Sequence, residues 1–134
     1  MKSFKLGSKT IYENKQPYVI AEIGVNFENN FSRAKKIIKL AKEAGADAVK
    51  FQHFRAETIV SDFGFKNVGS KLSHQESWKK SIFDVYKDAE VPMNWTVIIN
   101  KTCKNADIDF FTSPYDIDEI DEINKYVSAY KVGS

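Results

Sequence analysis

Six side chains in this sequence are of the types that hold anions, orient carbonyl groups or move protons: Glu22, Lys50, Gln52, Ser113, Lys131 and Ser134. Each stands near the C-terminal end of a short segment with strand character. Side chains alternate along a strand with a period of two. If Glu22 faces inward, Ile20, Gly24 and Asn26 share its face. Ala48, Lys50 and Gln52 share a face in the second segment, Phe111 and Ser113 in the third, and Ala129, Lys131 and Gly133 in the fourth. Small or apolar residues come first in each segment and polar ones last. In parallel α/β folds ligands bind at the C-terminal strand ends, so this pattern gathers Glu, Lys, Gln and Ser at one rim. Lysine is almost never fully buried without a partner, and an uncompensated buried charge costs several kcal/mol. Lys50 and Lys131 therefore imply an anionic ligand, a local carboxylate or a neutral amine that forms a Schiff base. Glu22 is read as a site residue or as an ion-pair partner for a neighbouring lysine. Ser113, before Pro114, contacts ligand or shapes a turn. Gly133 and Ser134 are turn residues or offer backbone N–H groups and a hydroxyl to an anion.

The elements that must position these groups are legible in the spacing. Residues 3–12 read as a hairpin around Gly7-Ser8, within an N-terminal hairpin region of residues 1–17. Residues 18–24, 47–53, 108–113 and 128–133 read as strands. Residues 31–44 give the clearest helix: Phe31, Ala34, Ile37, Ile38 and Ala41 share one face, with Asn30 as N-cap and Gly45 just past the end. Residues 95–106 are a weaker helix, because Thr96, Val97, Ile98 and Ile99 are β-branched. Asp116 and Glu119 sit where a capping residue and its reciprocal partner belong, ahead of an Ile117, Ile120, Ile123 stripe. Residues 54–93 read as an extended, irregular insert after the second strand with a helix near 75–87, and Trp78, Phe83 and Tyr86 read as a small core of its own. Strand and helix alternate through all four strands, so the expected class is α/β with a parallel sheet. The Gly-rich dinucleotide fingerprint and the phosphate loop ending in Gly-Lys-Ser/Thr are both absent, which disfavours an open nucleotide-binding sheet.

Composition narrows the function classes. The chain has 134 residues, 43% apolar and 13% aromatic, enough for one packed domain over residues 1–134. A formal net charge of +2 supplies no field for nucleic acid or an anionic membrane. No apolar run approaches the roughly 20 residues of a spanning helix, and Lys2, Lys5 and Lys9 break up any signal-peptide pattern. Cys103, the one cysteine, excludes an internal disulfide framework and reads as core. A cytoplasmic setting is expected. His53 follows Gln52 and should point away from the rim, while His74 lies in the insert. Neither has a neighbour at metal-ligand spacing.

Four short motifs, in this order, resemble the sialic acid synthase family: Ala21-Glu22-Ile23-Gly24-Val25-Asn26, Lys50-Phe51-Gln52, Thr112-Ser113-Pro114-Tyr115-Asp116 and Lys131-Val132-Gly133-Ser134. The resemblance spans about Tyr18 to Ser134. It implies the N-terminal half of a (β/α)8 TIM barrel that condenses phosphoenolpyruvate with an N-acetylmannosamine-type sugar to give a nonulosonic acid and phosphate. It further implies a divalent metal, Mn²⁺ or Mg²⁺, with ligands outside this chain. Lys50, Ser113, Lys131 and Ser134 would then hold the phosphate and carboxylate of phosphoenolpyruvate. Gln52 and Glu22 would face the N-acetylated hexosamine, with Glu22 a candidate for proton transfer. Two positions depart from the family pattern. Phe27 stands where the family usually has His, and Thr112-Ser113-Pro114 replaces Ser-Thr-Pro.

A complete barrel takes roughly 250 residues, so the expectation is that this chain is a fragment, inactive alone and prone to self-association through open sheet edges; the parent enzyme is expected to be a homo-oligomer. Two other readings compete: a Schiff-base aldolase half-barrel using Lys131 or Lys50, and a non-catalytic interaction fragment.

Overall fold

The computed structural model describes residues 2–67 and 78–133. Two strands, β1 (Ser3–Leu6) and β2 (Lys9–Tyr12), form an antiparallel hairpin. They are followed by β3 (Ile20–Gly24), α1 (Phe31–Glu43), β4 (Ala48–His53), α2 (Ala56–Ile59), α3 (Asp62–Asn67), α4 (Ile82–Ala89), α5 (Met93–Asn105), β5 (Asp109–Pro114), a 3₁₀ turn at Ile117–Glu119, α6 (Ile120–Ile123) and β6 (Ala129–Tyr130). Strands β3 to β6 form one parallel sheet in the order β3-β4-β5-β6.

That sequential order decides the architecture. A doubly wound sheet reverses its strand order at a switch point and carries helices on both faces. Here the order never reverses, and α1 and α5 pack on the same face. Ala34 and Ile38 from α1 and Ile99 and Cys103 from α5 join Val49, Phe51 and Phe110 in one buried cluster. Helices on one face and polar strand-end residues on the other are the arrangement of consecutive strands in a (β/α)8 barrel.

Helix α1 forms where the apolar spacing places it. Asn30 caps its start by accepting from the Arg33 N–H at 3.0 Å, and Gly45, at φ +91°, closes its end. The Gly45 N–H reaches the Lys42 carbonyl and the Ala46 N–H the Ala41 carbonyl, the paired bonds of a Schellman ending. Residues 54–93 are more regular than their sequence suggests, since α2, α3 and α4 lie within them. The helix expected near 75–87 is found at Ile82–Ala89, and part of the expected span, with His74, lies outside the described residues. The last strand is shorter than 128–133 and keeps only Ala129 and Tyr130 in the ladder. Phe27 is 1% exposed and packs its ring against Phe51 and Trp95. Its departure from the family pattern is thus absorbed between sheet and helices, not at the rim.

The hairpin closes the N-terminal end of the sheet. Its turn residue Gly7 has φ +57°, and a Cβ there would stand 2.1 Å from the Asp109 carboxylate. Asp109 Oδ2 accepts from the Ser8 N–H at 2.8 Å and from the Tyr18 hydroxyl. Asp47 pairs with Lys9 and accepts from the Val19 N–H at 2.8 Å. Tyr18 also stacks on Phe111, centroids 5.8 Å apart.

One polar bolt crosses the outer core. His53 is 1% exposed, with Nδ1 2.7 Å from Thr112 Oγ1 and Nε2 2.9 Å from Thr96 Oγ1 on α5. Thr112 spends its own proton on the Phe51 carbonyl at 3.1 Å. The imidazole therefore donates through Nδ1 and accepts from Thr96 at Nε2, which is the neutral form. Burial pushes its pKa down to about 4. The unfolded chain, with an ordinary histidine near 6.5, binds a proton that the native state refuses. Stability should therefore be full above about pH 6.5 and fall by about 3 kcal/mol towards pH 4. Urea titrations of the wild type and His53→Leu across this range check it: the pH slope should be shallower in the variant by that amount. Equal slopes would show that His53 does not titrate as its burial requires.

Candidate functional site

The rim is built by three adjacent strands. In the parallel ladder Glu22 on β3 stands opposite Lys50 on β4, and Gln52 on β4 stands opposite Ser113 on β5. The neighbours Val49, Phe51 and His53 face the helices, so Lys50 and Gln52 face the opposite side. The Lys50 side chain is only 7% exposed. Its ammonium lies 2.7 Å from Glu22 Oε2 and donates to Ser113 Oγ at 3.2 Å. Ser113 is itself buried, whereas the Glu22 side chain is 55% exposed. A charge sunk in the sheet is thus linked to a carboxylate that reaches out of it.

Gly24 makes room for this arrangement. The β3–β4 register shifts between Glu22 and Gly24, and Gly24 takes φ +55°, a conformation that side chains with a Cβ rarely adopt. A Cβ there would lie 3.4 Å from Glu22 Oε1 and 3.6 Å from Gln52 Oε1. The two oxygens therefore flank one small space.

Of the expected site residues, Glu22, Lys50 and Ser113 are in direct contact and Gln52 adjoins them. Lys131 lies just beyond β6, held through its backbone N–H to the Thr112 carbonyl at 2.9 Å. The hydroxyl of its neighbour Tyr130 donates to Asn124 Oδ1 at 3.2 Å on the helical side. Lys131 is exposed and forms no ion pair among the described residues. Ser134 lies outside the described residues.

A second network was partly hidden in the sequence. Asp116 caps the turn after β5 by accepting from the Asp118 N–H at 3.0 Å. No bond from the Asp116 N–H to the Glu119 carboxylate is found among the described residues, and the Asp116 carboxylate accepts from Arg55 Nε at 2.8 Å and Thr58 Oγ1 at 3.1 Å. Arg55 lies 3.4 Å from Glu119 as well. The Arg55 guanidinium holds the Asp116 carboxyl below its ordinary range, and this pairing ties the loop after β4 to the loop after β5. Aromatic residues of the same loops, Phe54, Tyr86 and Tyr115, border the hollow beside Gln52. Nothing in their spacing marks them, since they come from three separate stretches of chain.

Among the described residues no group of three His, Cys, Asp or Glu side chains could hold a metal ion, and the rim carboxylate Glu22 is committed to Lys50. Cys103 is buried against α1 and the sheet, and burial pushes its thiol up to about 12, so it is core and not a nucleophile.

The model of the NeuB family matches residues 37–134. The spore coat polysaccharide biosynthesis protein SpsE of Bacillus subtilis is 31% identical over 137 residues, covering 100% of this chain and 35% of that protein. The N,N'-diacetyllegionaminic acid synthase of Legionella pneumophila is 33% identical over 104 residues, covering 78% of this chain and 29% of that one. In fold, the chain is similar to the crystal structure of N-acetylneuraminic acid synthetase from Leptospira borgpetersenii, with a TM-score of 0.75 at 23% identity over 98% of this chain and 41% of that one. The chain spans about a third of the length of the curated relatives it matches.

The ion pair makes a prediction about stability. Glu22→Gln leaves the sunken Lys50 ammonium with Ser113 alone and should destabilise by about 1–2 kcal/mol, less than a fully buried pair would lose because Glu22 is half exposed. Lys50→Met removes the charge and keeps the carbon stem, so it should cost less. Denaturant midpoints of both variants decide it, and the opposite ranking would mean that Lys50 is not dependent on Glu22.

Proposed function

The chain belongs to the NeuB family, and from that premise we propose that its rim binds phosphoenolpyruvate and an N-acetylated hexosamine and condenses them to a nonulosonic acid. The observation that carries this reading is the sunken Lys50 ammonium held between Glu22 and Ser113 at the C-terminal strand ends. The Lys50 ammonium and the Ser113 hydroxyl lie side by side and suit an anionic ligand, and Lys131 is a further cation just beyond β6. In the proposed reaction C3 of phosphoenolpyruvate attacks the aldehyde carbon of the open-chain sugar and a C–C bond forms. Water then adds at C2, and inorganic phosphate leaves with cleavage of its C–O bond.

Lys50, Ser113, Lys131 and Ser134 are assigned to the phosphate and carboxylate of phosphoenolpyruvate. Gln52 and Glu22 are assigned to the sugar. Glu22 is the group assigned to move a proton, because its carboxylate is half exposed on the ligand side. Positioning and fixed charge carry most of such a reaction. The divalent metal that the resemblance implies, Mn²⁺ or Mg²⁺, would be held by residues outside this stretch, and the roles given to Glu22, Gln52 and the lysines do not pass through it. The pairing of Lys50 with Glu22 and Ser113 engages its amine and disfavours a Schiff base on that residue. The whole reaction needs the rest of a barrel. The 134 residues by themselves are expected to bind phosphoenolpyruvate without turning it over.

Two variants in the full-length enzyme test the assignments. Lys131→Met should raise KM for phosphoenolpyruvate roughly tenfold or more, the size of a lost charge-assisted hydrogen bond; unchanged kcat and KM would remove Lys131 from the site. Glu22→Gln should lower kcat far more than it raises KM for phosphoenolpyruvate. A change confined to KM would leave Glu22 as an ion-pair partner only.

A further inference from the structure

The stretches of chain that follow β4, β5 and β6 meet at one short segment, Pro114-Tyr115-Asp116. Its place is fixed from two sides. The Tyr115 N–H donates to the His53 carbonyl at 2.8 Å, which carries the β4–β5 ladder one step past Pro114. The buried Asp116 carboxylate gathers three donors: the Asp118 N–H at 3.0 Å, Arg55 Nε at 2.8 Å and Thr58 Oγ1 at 3.1 Å. A carboxylate so far out of water keeps its charge only with such partners, so the backbone that carries it is held. Tyr115 stands between these two anchors.

The Tyr115 ring reaches the segment after β6. A Cβ on Gly133 would lie 3.0 Å from Tyr115 Cε1 and Oη and 3.1 Å from Cζ. The end of the ring therefore lies against the Gly133 backbone, a close approach that the missing Cβ permits. The segment has little other support. Strand β6 gives Ala129 and Tyr130 to the ladder, and Lys131 adds a backbone bond to the Thr112 carbonyl. Val132 is 85% exposed, so burial of its side chain does not hold the chain down. Lysine is a point charge on a flexible stem. An anion gains most from Lys131 when the backbone that carries it is already in place, because less ordering is then left to the moment of binding.

We propose that Tyr115 is a positioning residue: anchored through Asp116 and Arg55, its ring packs on Gly133 and holds the Lys131–Gly133 segment ready for an anion. The role rests on the assignment of Lys131 to phosphoenolpyruvate given above, and it adds the group that sets the place of that lysine. Two measurements separate the parts. Hydrogen exchange followed by NMR reads the contact with no ligand present. Tyr115→Ala should speed exchange of the Lys131 amide at least tenfold, while the Val49 and Phe51 amides stay protected. Tyr115→Phe keeps the ring and should restore wild-type exchange. Gly133→Val pushes the ring away from the other side and should also speed Lys131 exchange, which keeps the test decisive if Tyr115→Ala does not fold. Calorimetric titration of phosphoenolpyruvate then reads the consequence. Tyr115→Ala should weaken binding about tenfold in the otherwise wild-type chain and about threefold or less beside Lys131→Met, since the ring acts through that segment. Unchanged Lys131 exchange in both Tyr115→Ala and Gly133→Val, an equal loss in Tyr115→Phe, or the same tenfold loss with and without Lys131 would overturn the positioning role. Failure of phosphoenolpyruvate to bind the wild type would overturn the broader functional reading instead, and the exchange rates would still decide whether Tyr115 holds the segment.

Discussion

An ammonium group sunk to 7% exposure in a sheet must find its counter-charge within reach of one side chain, and only the flanking strands can supply it. For Lys50 they do, with Glu22 on one side and Ser113 on the other. This requirement fixes the register of three strands together. A slip of one residue would turn Lys50 towards Phe51's neighbours on the helical side and place Phe51 at the rim. The sheet is thus held in place by its outer core and checked by its inner charge.

The remaining features serve that alignment. Gly24 lets β3 shift its register just past Glu22 without a Cβ filling the space between Glu22 and Gln52. The hairpin anchors the opposite end, where Asp109 and Asp47 collect donors from Ser8, Tyr18, Lys9 and Val19. On the outer face the hydrophobic layer supplies most of the stability, and His53 ties that layer to β5 and α5 through two threonines. The Arg55–Asp116 pair joins two rim loops. The aromatic corner of Phe54 and Tyr86 beside Gln52 then sits next to the charged centre, so one rim brings charged and apolar side chains side by side.

Period-two alternation alone places Lys50 with Gln52 and Phe111 with Ser113, because a strand leaves no freedom in which face a residue takes. It also turned His53 away from the rim. Helix α1 was legible for a similar reason: its apolar stripe, Asn30 cap and Gly45 ending all agree. The insert was not. Helices α2 and α3 are only 4 and 6 residues long, too short for a hydrophobic period to declare itself, and they exist because long-range contacts hold them, such as Glu90 accepting from the Ala56 N–H. The Asp116 cap was visible, but its Arg55 partner was not, because a pairing across 61 residues leaves no local trace. The choice for Glu22 between ion pair and site residue could not be made from the sequence; the structure shows the pair, and the exposure of its carboxylate leaves it able to serve both roles.

Under the proposed function the Lys50 ammonium is a built anion site. Calorimetric titration of phosphoenolpyruvate into the wild type and Lys50→Met tests it most directly, with circular dichroism confirming that both are folded. The wild type should bind with a heat that weakens as salt screens the charge, and the folded variant should show at least a tenfold loss of affinity. Equal affinity in the two proteins would mean that Lys50 and Glu22 form a structural ion pair and that the anion, if bound, is held elsewhere.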